Sequence, residues 1–339
     1  MTTQDYAQLK TLLATPKKLV IVPHVNPDGD AMGSCLALYL YLKRKKHNVT
    51  VVAPNDYPDF LKWLPEESSV VKYEYEKDKG DKLLKNAEVV FTLDFNALNR
   101  TGLMQETLEQ LNTTFVLIDH HQQPDNYAKF IYSDVSMSST CEMVYNFITN
   151  LGGSALLDAD IATCLYTGIM TDTGSFRFPS TTSKTHEVIA HLIDCGAENA
   201  TIHNNIYDTN SYSRLQLLGR ALQNLKVLPE YRTAYITLSQ EELDTFNFKK
   251  GDTEGFVNYG LSLENIVMAV IFIENKQDSV VKISLRSKGD FSVNDLSRTH
   301  FNGGGHINAA GGKSDLSLND TVDKFISILP HYKNALNHV

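Results

Sequence analysis

The chain has 339 residues, room for two domains each with its own core, and four cysteines (Cys35, Cys141, Cys164, Cys195) without C-x-x-C spacing, so neither a disulfide framework nor a zinc ribbon is expected. A net charge of −9 with 21% charged residues speaks against a broad non-specific nucleic-acid surface, yet leaves room for a short anion held locally. The start MTTQDYAQLK lacks a secretory pattern and the apolar stretch 35–42 is too short for a bilayer, so a reduced, cytoplasmic setting is the expectation.

Residues 4–14 read as a short amphipathic helix. After Pro16 comes the run LVIVPH (19–24), which reads as a strand buried on both faces, as in a parallel sheet. Asn26-Pro27-Asp28-Gly29 forces a turn there, so His24, Asp28 and Asp30 leave one rigid strand within seven residues. The pattern recurs. EVVFTLD (88–94) ends on Asp94, FVLIDHH (115–121) ends on Asp119-His120-His121, and a helical pattern over 158–170 breaks at Thr171-Asp172-Thr173-Gly174. A solvated turn with helix-capping aspartates explains one such strand end. Three in series are a poor fit to it, because uncompensated buried carboxylates repel one another and a cation removes that cost. Oxygen and imidazole donors without thiolate suit Mn²⁺ or Mg²⁺ better than structural zinc.

Between these strands, 31–46 is helical and ends in Lys43-Arg44-Lys45-Lys46, read either as a phosphate site or as cations in a last helical turn. Residues 49–53 give a short strand. The aromatic stretch DYPDFLKWLP (56–65) is a base-stacking segment or a core-packing loop, and 74–86 a charged surface connector. Arg100 is placed to touch substrate phosphate, to hold Asp94, or to start a helix in solvent. Helices are expected at 138–151 and 158–170, the second delivering Asp172. Arg177, between Phe176 and Phe178, is read as a substrate contact or a structural ion pair. Helices at 183–195 and 198–206 close a first domain, 1–205.

A polar stretch, 206–215, is the expected linker to a second domain, 216–339. There, helices at 213–227, near 253–262 and at 319–336 alternate with strands at 232–238, 266–273 and 279–286, which suggests a smaller α/β domain with its own sheet. Gly303-Gly304-Gly305-His306 can expose successive backbone N–H groups to an anion, with Arg286 and Arg298 as nearby cations; the alternative is a glycine-rich turn.

Taken together, His24-Val25-Asn26-Pro27-Asp28-Gly29-Asp30-Ala31, the isolated Asp94, Asp119-His120-His121 and Thr171-Asp172-Thr173-Gly174 resemble the four motifs of the DHH phosphoesterase superfamily. Phe301-Asn302-Gly303-Gly304-Gly305-His306 with Ala309-Ala310-Gly311-Gly312 is similar to the signature of the DHH-associated C-terminal domain. The likeness spans nearly the whole chain and is nearest to the bacterial nanoRNase/pAp phosphatase branch. It implies an α/β fold in which a DHH domain with a mainly parallel sheet and a smaller DHH-associated domain flank the active-site cleft. It implies two Mn²⁺ ions (Mg²⁺ or Co²⁺ as alternatives): His24, Asp28 and Asp94 on one, Asp30, Asp94, His120 and Asp172 on the other, with Asp94 bridging. Asp119 supports the ligands, and His121 contacts the phosphate or assists proton transfer. Arg286, Gly303, Gly304, Gly305 and His306, with Arg100, Arg177 and Arg298, would bind substrate.

The activity so implied is hydrolysis of very short RNA and of 3′-phosphoadenosine-5′-phosphate (pAp), with no long duplex partner, no membrane, and a homodimer among the compatible assemblies. The alternatives are an inorganic pyrophosphatase or short-chain exopolyphosphatase, a RecJ-like exonuclease, a phosphodiesterase for linear dinucleotides such as pApA, and a non-catalytic binding protein.

Overall fold

The computed structural model describes residues 1–338. They form two compact units, Met1–Thr209 and a second from Asn210 onward. Across the stretch 206–215, helices run up to Tyr207 and start again at Tyr212.

In the first unit, β1 (Lys18–Val22), β2 (Asn48–Ala53), β3 (Val71–Lys72), β4 (Val89–Leu93), β5 (Thr114–Asp119) and β6 (Phe130–Ser133) form one sheet in the order β3-β2-β1-β4-β5-β6, every pair parallel. The continuous aliphatic runs are explained by two cores. Leu19, Ile21, Phe91 and Ile118 face one hydrophobic cluster, while Val20, Val22, Val90 and Leu117 face another. Strand order reverses between β1 and β4, and open α/β sheets bind ligands outside the carboxyl ends of their strands at such a switch point.

The Gly29–Arg44 helix follows β1 and packs against the Ala159–Asp172 helix so closely that a Cβ at Gly33 would lie 2.5 Å from the Cys164 carbonyl oxygen. At its end, Lys43 pairs with Glu66 at 2.9 Å and Arg44 with Asp158 and Asp160, which makes this basic run helix-end charge. The aromatic stretch 56–65 is a packing loop: Tyr57, Leu61 and Leu64 are buried and Trp63 packs against the same core. Short strands such as β3 and β6 carry too few residues to show a period, and the sequence reading passed over both.

The second unit holds β7 (Lys226–Leu228), β8 (Thr233–Leu238), β9 (Met268–Asn275), β10 (Val280–Ser287), β11 (Gly304–His306) and β12 (Ala309–Ser314), ordered β11-β12-β10-β9-β8-β7. Only β8 and β9 run parallel; the other pairs are antiparallel. Met268, Val270 and Phe272 face a core closed by Phe325 and Leu329 of the Leu318–Asn337 helix, while Ala269 and Ile271 face the opposite core. The glycine-rich stretch is not a loop. Gly304–His306 is an edge strand hairpinned onto β12, because Gly303 and Gly305 allow a closeness that a Cβ would forbid, at 1.9 Å from the Gly311 oxygen and 2.4 Å from the Ala309 oxygen.

Candidate metal centre

β1 ends at Val22 and the chain turns at once, with Asn26 in the left-handed region (φ 54°). His24 is buried, and its Nδ1 donates to the Val25 carbonyl at 2.8 Å, which leaves Nε2 as the free lone pair. Nε2 lies 3.9 Å from Asp28 Oδ2 and 3.5 Å from Asp94 Oδ2. Asp28 is also the N-cap of the Gly29–Arg44 helix: its Oδ1 accepts from the N–H groups of Asp30 and Ala31, each at 3.1 Å. One carboxylate thus starts the helix with one oxygen and faces the site with the other.

Asp94 follows β4 with φ 65°, a left-handed conformation that a non-glycine residue adopts only when its surroundings enforce it. Its two oxygens diverge. Oδ2 faces His24, while Oδ1 is 3.6 Å from His120 Nε2. His120 follows β5; its Nδ1 is 3.2 Å from the Met137 carbonyl, and its Nε2 is 3.8 Å from Asp30 Oδ2 and 3.5 Å from Asp172 Oδ2. Asp172 is the last residue of its helix. Within the first unit, three donor groups result, the ligand atoms of each within 4.8 Å of one another: His24-Asp28-Asp94, Asp30-His120-Asp172 and Asp94-Asp119-His121.

The electrostatics are those of an uncompensated cluster. Burial pushes the Asp94 carboxyl well above the carboxylate range, and the charges of Asp30, Asp28, Asp172 and Asp119 push it further. Asp30 is raised by burial too, and by Asp28, against the opposing pull of His120. Burial drives His24 below the ordinary imidazole range, with Arg100 and His121 acting the same way. His120 is also driven down by burial, but Asp172, Asp30 and Asp119 outweigh it and hold it above the ordinary value.

The donor set fits a divalent cation. Separations of 3.5–3.9 Å exceed hydrogen-bond length and leave room for ions at metal–ligand distances of about 2.0–2.2 Å. Asp119 is fully buried, accepts from His121 Nδ1 at 2.7 Å through Oδ1, and leaves Oδ2 without a hydrogen-bond partner. Such an orphan costs free energy unless positive charge is close by.

Asp30 shows what sequence reading missed. Its Oδ2 accepts from the Thr140 N–H at 2.6 Å and its Oδ1 from the Cys141 N–H at 2.8 Å, so it caps a second helix, Thr140–Asn150, remote in sequence. Thr140 Oγ1 also donates to Asp94 Oδ1 at 2.9 Å. Gly168 makes the space: a Cβ there would sit 2.1 Å from Cys141 Sγ and 2.9 Å from Asp30 Oδ1. In the sequence these residues look like an N-cap pattern and a helical glycine, and neither carries a local sign of the site.

The expected substrate residues are placed as follows. Arg100 is half-buried, and its carbonyl accepts from the Val25 N–H at 2.7 Å. Arg177 is exposed, and its Nε donates to the Gly174 carbonyl at 2.7 Å. Within the second unit, Arg286 Nη1 donates to the Leu285 carbonyl at 3.0 Å and Arg298 Nε to Asn294 Oδ1 at 3.2 Å. Gly304 lies beside Arg298, its ideal Cβ position 3.6 Å from that Nε. Gly303 donates its N–H to the Ser297 carbonyl at 3.3 Å, so it is not offered to an anion.

Fold and donor set define a doubly wound α/β protein with a metal-competent carboxylate–imidazole centre at its switch point. The family model for the DHH family, N-terminal domain, matches residues 18–169, and that for the DHHA1 domain matches residues 233–332. The chain is 30% identical over 318 residues to the probable bifunctional oligoribonuclease and PAP phosphatase NrnA of Streptococcus mutans, covering 92% of this chain and 96% of that one. It is 33% identical over 304 residues to the bifunctional oligoribonuclease and PAP phosphatase NrnA of Thermus thermophilus, covering 89% and 86%. A solved exopolyphosphatase-related protein from Bacteroides fragilis is 38% identical with a TM-score of 0.95, covering 99% of this chain and 98% of its own. The chain belongs to the DHH family of phosphoesterases, and is a hydrolase with both the DHH and the DHHA1 domain.

Proposed function

We propose that this phosphoesterase hydrolyses very short oligoribonucleotides and pAp, using two divalent cations, Mn²⁺ first among them. The observation that carries the reading is the split carboxylate of Asp94, with Oδ2 facing the His24 group and Oδ1 facing the His120 group. Relatives alike over most of both chains are named as oligoribonuclease and PAP phosphatase, which supports the substrate class.

His24, Asp28 and Asp94 would hold one ion; Asp30, Asp94, His120 and Asp172 the other. Bound there, a cation pair supplies a water of lowered pKa and neutralises charge on the phosphoryl group. The chain's own groups do the rest. Asp119 orients His121 through Nδ1, so that Nε2 can meet a phosphate oxygen or hand a proton to the leaving group. Asp28 and Asp172, the less buried ligands, border the open side of the centre, while Asp30 and Asp94 stay shielded. Arg286, Gly304, Gly305, His306 and Arg298 would bind the phosphate or nucleotide that does not react, and Arg100 and Arg177 would add positive charge in the first unit. Four free thiols fit a reducing, cytoplasmic compartment.

The test is hydrolysis of pAp, a dinucleotide RNA, a long single-stranded RNA, pyrophosphate and short polyphosphate, each with Mn²⁺ and with EDTA. Turnover of pAp and the dinucleotide far above the rest, lost in EDTA, is the expected result. A preference for polyphosphate would favour the second reading, which rests on the name of the Bacteroides fragilis relative.

A further inference from the structure

Residues 137–142 touch three of the six proposed ligands without being ligands themselves. The Met137 carbonyl faces His120 Nδ1 at 3.2 Å; Thr140 N–H and Cys141 N–H hold both oxygens of Asp30; Thr140 Oγ1 donates to Asp94 Oδ1. Thr140 is fully buried and, within this segment, reaches two carboxylates, one in the first turn of the helix after β1 and one directly after β4.

We propose that Thr140 is a positioning residue that fixes the carboxylates of Asp30 and Asp94 relative to each other, with Glu142 locking the segment that carries it. This rests on the two-cation reading above. The terminal torsion of an aspartate is broad, so Asp94 needs an external donor to keep one oxygen toward His120 and the other toward His24. The Thr140 hydroxyl is that donor, 2.9 Å from Oδ1. The Thr140 N–H, at the positive end of its helix, does the same for Asp30 and offsets part of the repulsion between two buried anions.

Glu142 makes the segment rigid. It is 2% exposed; its carboxylate bonds the Ser138 hydroxyl, accepts from Thr185 Oγ1 at 3.0 Å, and its N–H donates to Ser139 Oγ at 3.1 Å. Through Thr185 the site is tied to the Ser183–Asp194 helix. Outer groups that orient ligands in this way are worth about 10–100-fold in metal affinity.

The experiment is Mn²⁺ titration of the full-length, metal-depleted protein by calorimetry and electron paramagnetic resonance, for wild type, Thr140→Val and Thr140→Ser. Val keeps the shape without the hydroxyl, and Ser restores the donor. Expected are a loss of at least about tenfold in affinity for Thr140→Val and recovery to within about threefold for Thr140→Ser, with the metal-free Thr140→Val chain melting below wild type because a buried carboxylate oxygen has lost a donor. Wild-type affinity in Thr140→Val overturns the positioning role while leaving the two-cation reading intact. A wild type that binds no Mn²⁺, Mg²⁺ or Co²⁺ overturns both. Should Thr140→Val lose its circular dichroism, Thr140→Ala takes its place under the same criteria.

Discussion

The two sheets handle charge in opposite ways. In the first unit, buried carboxylates crowd at strand ends: burial holds Asp94 and Asp30 above their ordinary range, Asp30 and Asp28 push Asp94 further, and Asp28 pushes Asp30. In the second, the cations around the glycine hairpin reach solvent, Arg286 half-buried and Arg298 exposed, and are bonded to a neighbouring backbone or amide group. A parallel sheet covered on both faces sends its strand ends to one edge, where unlike elements meet. An antiparallel hairpin on a sheet edge brings together residues already close in sequence. The first arrangement suits a site that needs an ion to be stable, the second one that tolerates being empty.

Breaking the first half of that contrast should have the largest effect. Asp94→Asn, which keeps shape and tolerates the left-handed backbone, should lower kcat by at least about 10³. It should also raise the melting temperature of the metal-free protein, because one buried charge is gone. Activity near wild type, measured at saturating Mn²⁺ and pAp, would overturn the bridging role.

In the hairpin the expected cost is to stability. Gly303→Ala would put a Cβ 1.9 Å from the Gly311 oxygen and 2.1 Å from Ser297 Oγ. Overpacking of this kind costs about 1–3 kcal/mol. At Gly304, with its nearest contact at 3.6 Å, the same change should cost little. Melting of the two variants side by side separates a packing role for these glycines from a purely ligand-binding one.

Metal and proton should compete in the first unit. Since Asp94 and Asp30 have raised values in the folded metal-free chain, the folded state holds protons more tightly than the unfolded one. That stability is present below the ordinary carboxylate value of about 4 and is lost as pH climbs through the raised values. Mn²⁺ replaces the proton, so the rise in melting temperature it brings, relative to EDTA, should grow as pH climbs above the ordinary carboxylate value. A constant difference would show that the cation binds elsewhere. The smallest effect is expected for Arg286→Ala: KM for pAp up by about tenfold with kcat within about twofold, the pattern of lost uniform binding.

How much of this could be read in advance depends on how local the signal is. His24, Asp28, Asp30, Asp94, His120 and Asp172 stand out because each ends an aliphatic run or breaks a helical one, and the structure gathers them as His24-Asp28-Asp94 and Asp30-His120-Asp172, with Asp94 Oδ1 3.6 Å from His120 Nε2. Thr140, Glu142 and Gly168 escaped notice, since a threonine after two serines is an ordinary helix start and a helical glycine has no partner in its own window. The glycine stretch was expected as a loop and is an edge strand, for its close approach to β12 depends on residues 309–312 across the turn.

The sequence by itself determined which carboxylates and imidazoles follow the strands, and in what order, because apolar periodicity and the Asn-Pro-Asp-Gly turn act over a few residues. Tertiary structure alone decided which oxygen of Asp94 faces which imidazole, that Asp30 caps a helix more than a hundred residues away, and that Thr140 stands between them. Distances between elements are set by how faces pack, as where Gly33 and Gly168 let two helices approach, and packing is a property no single stretch of the chain contains.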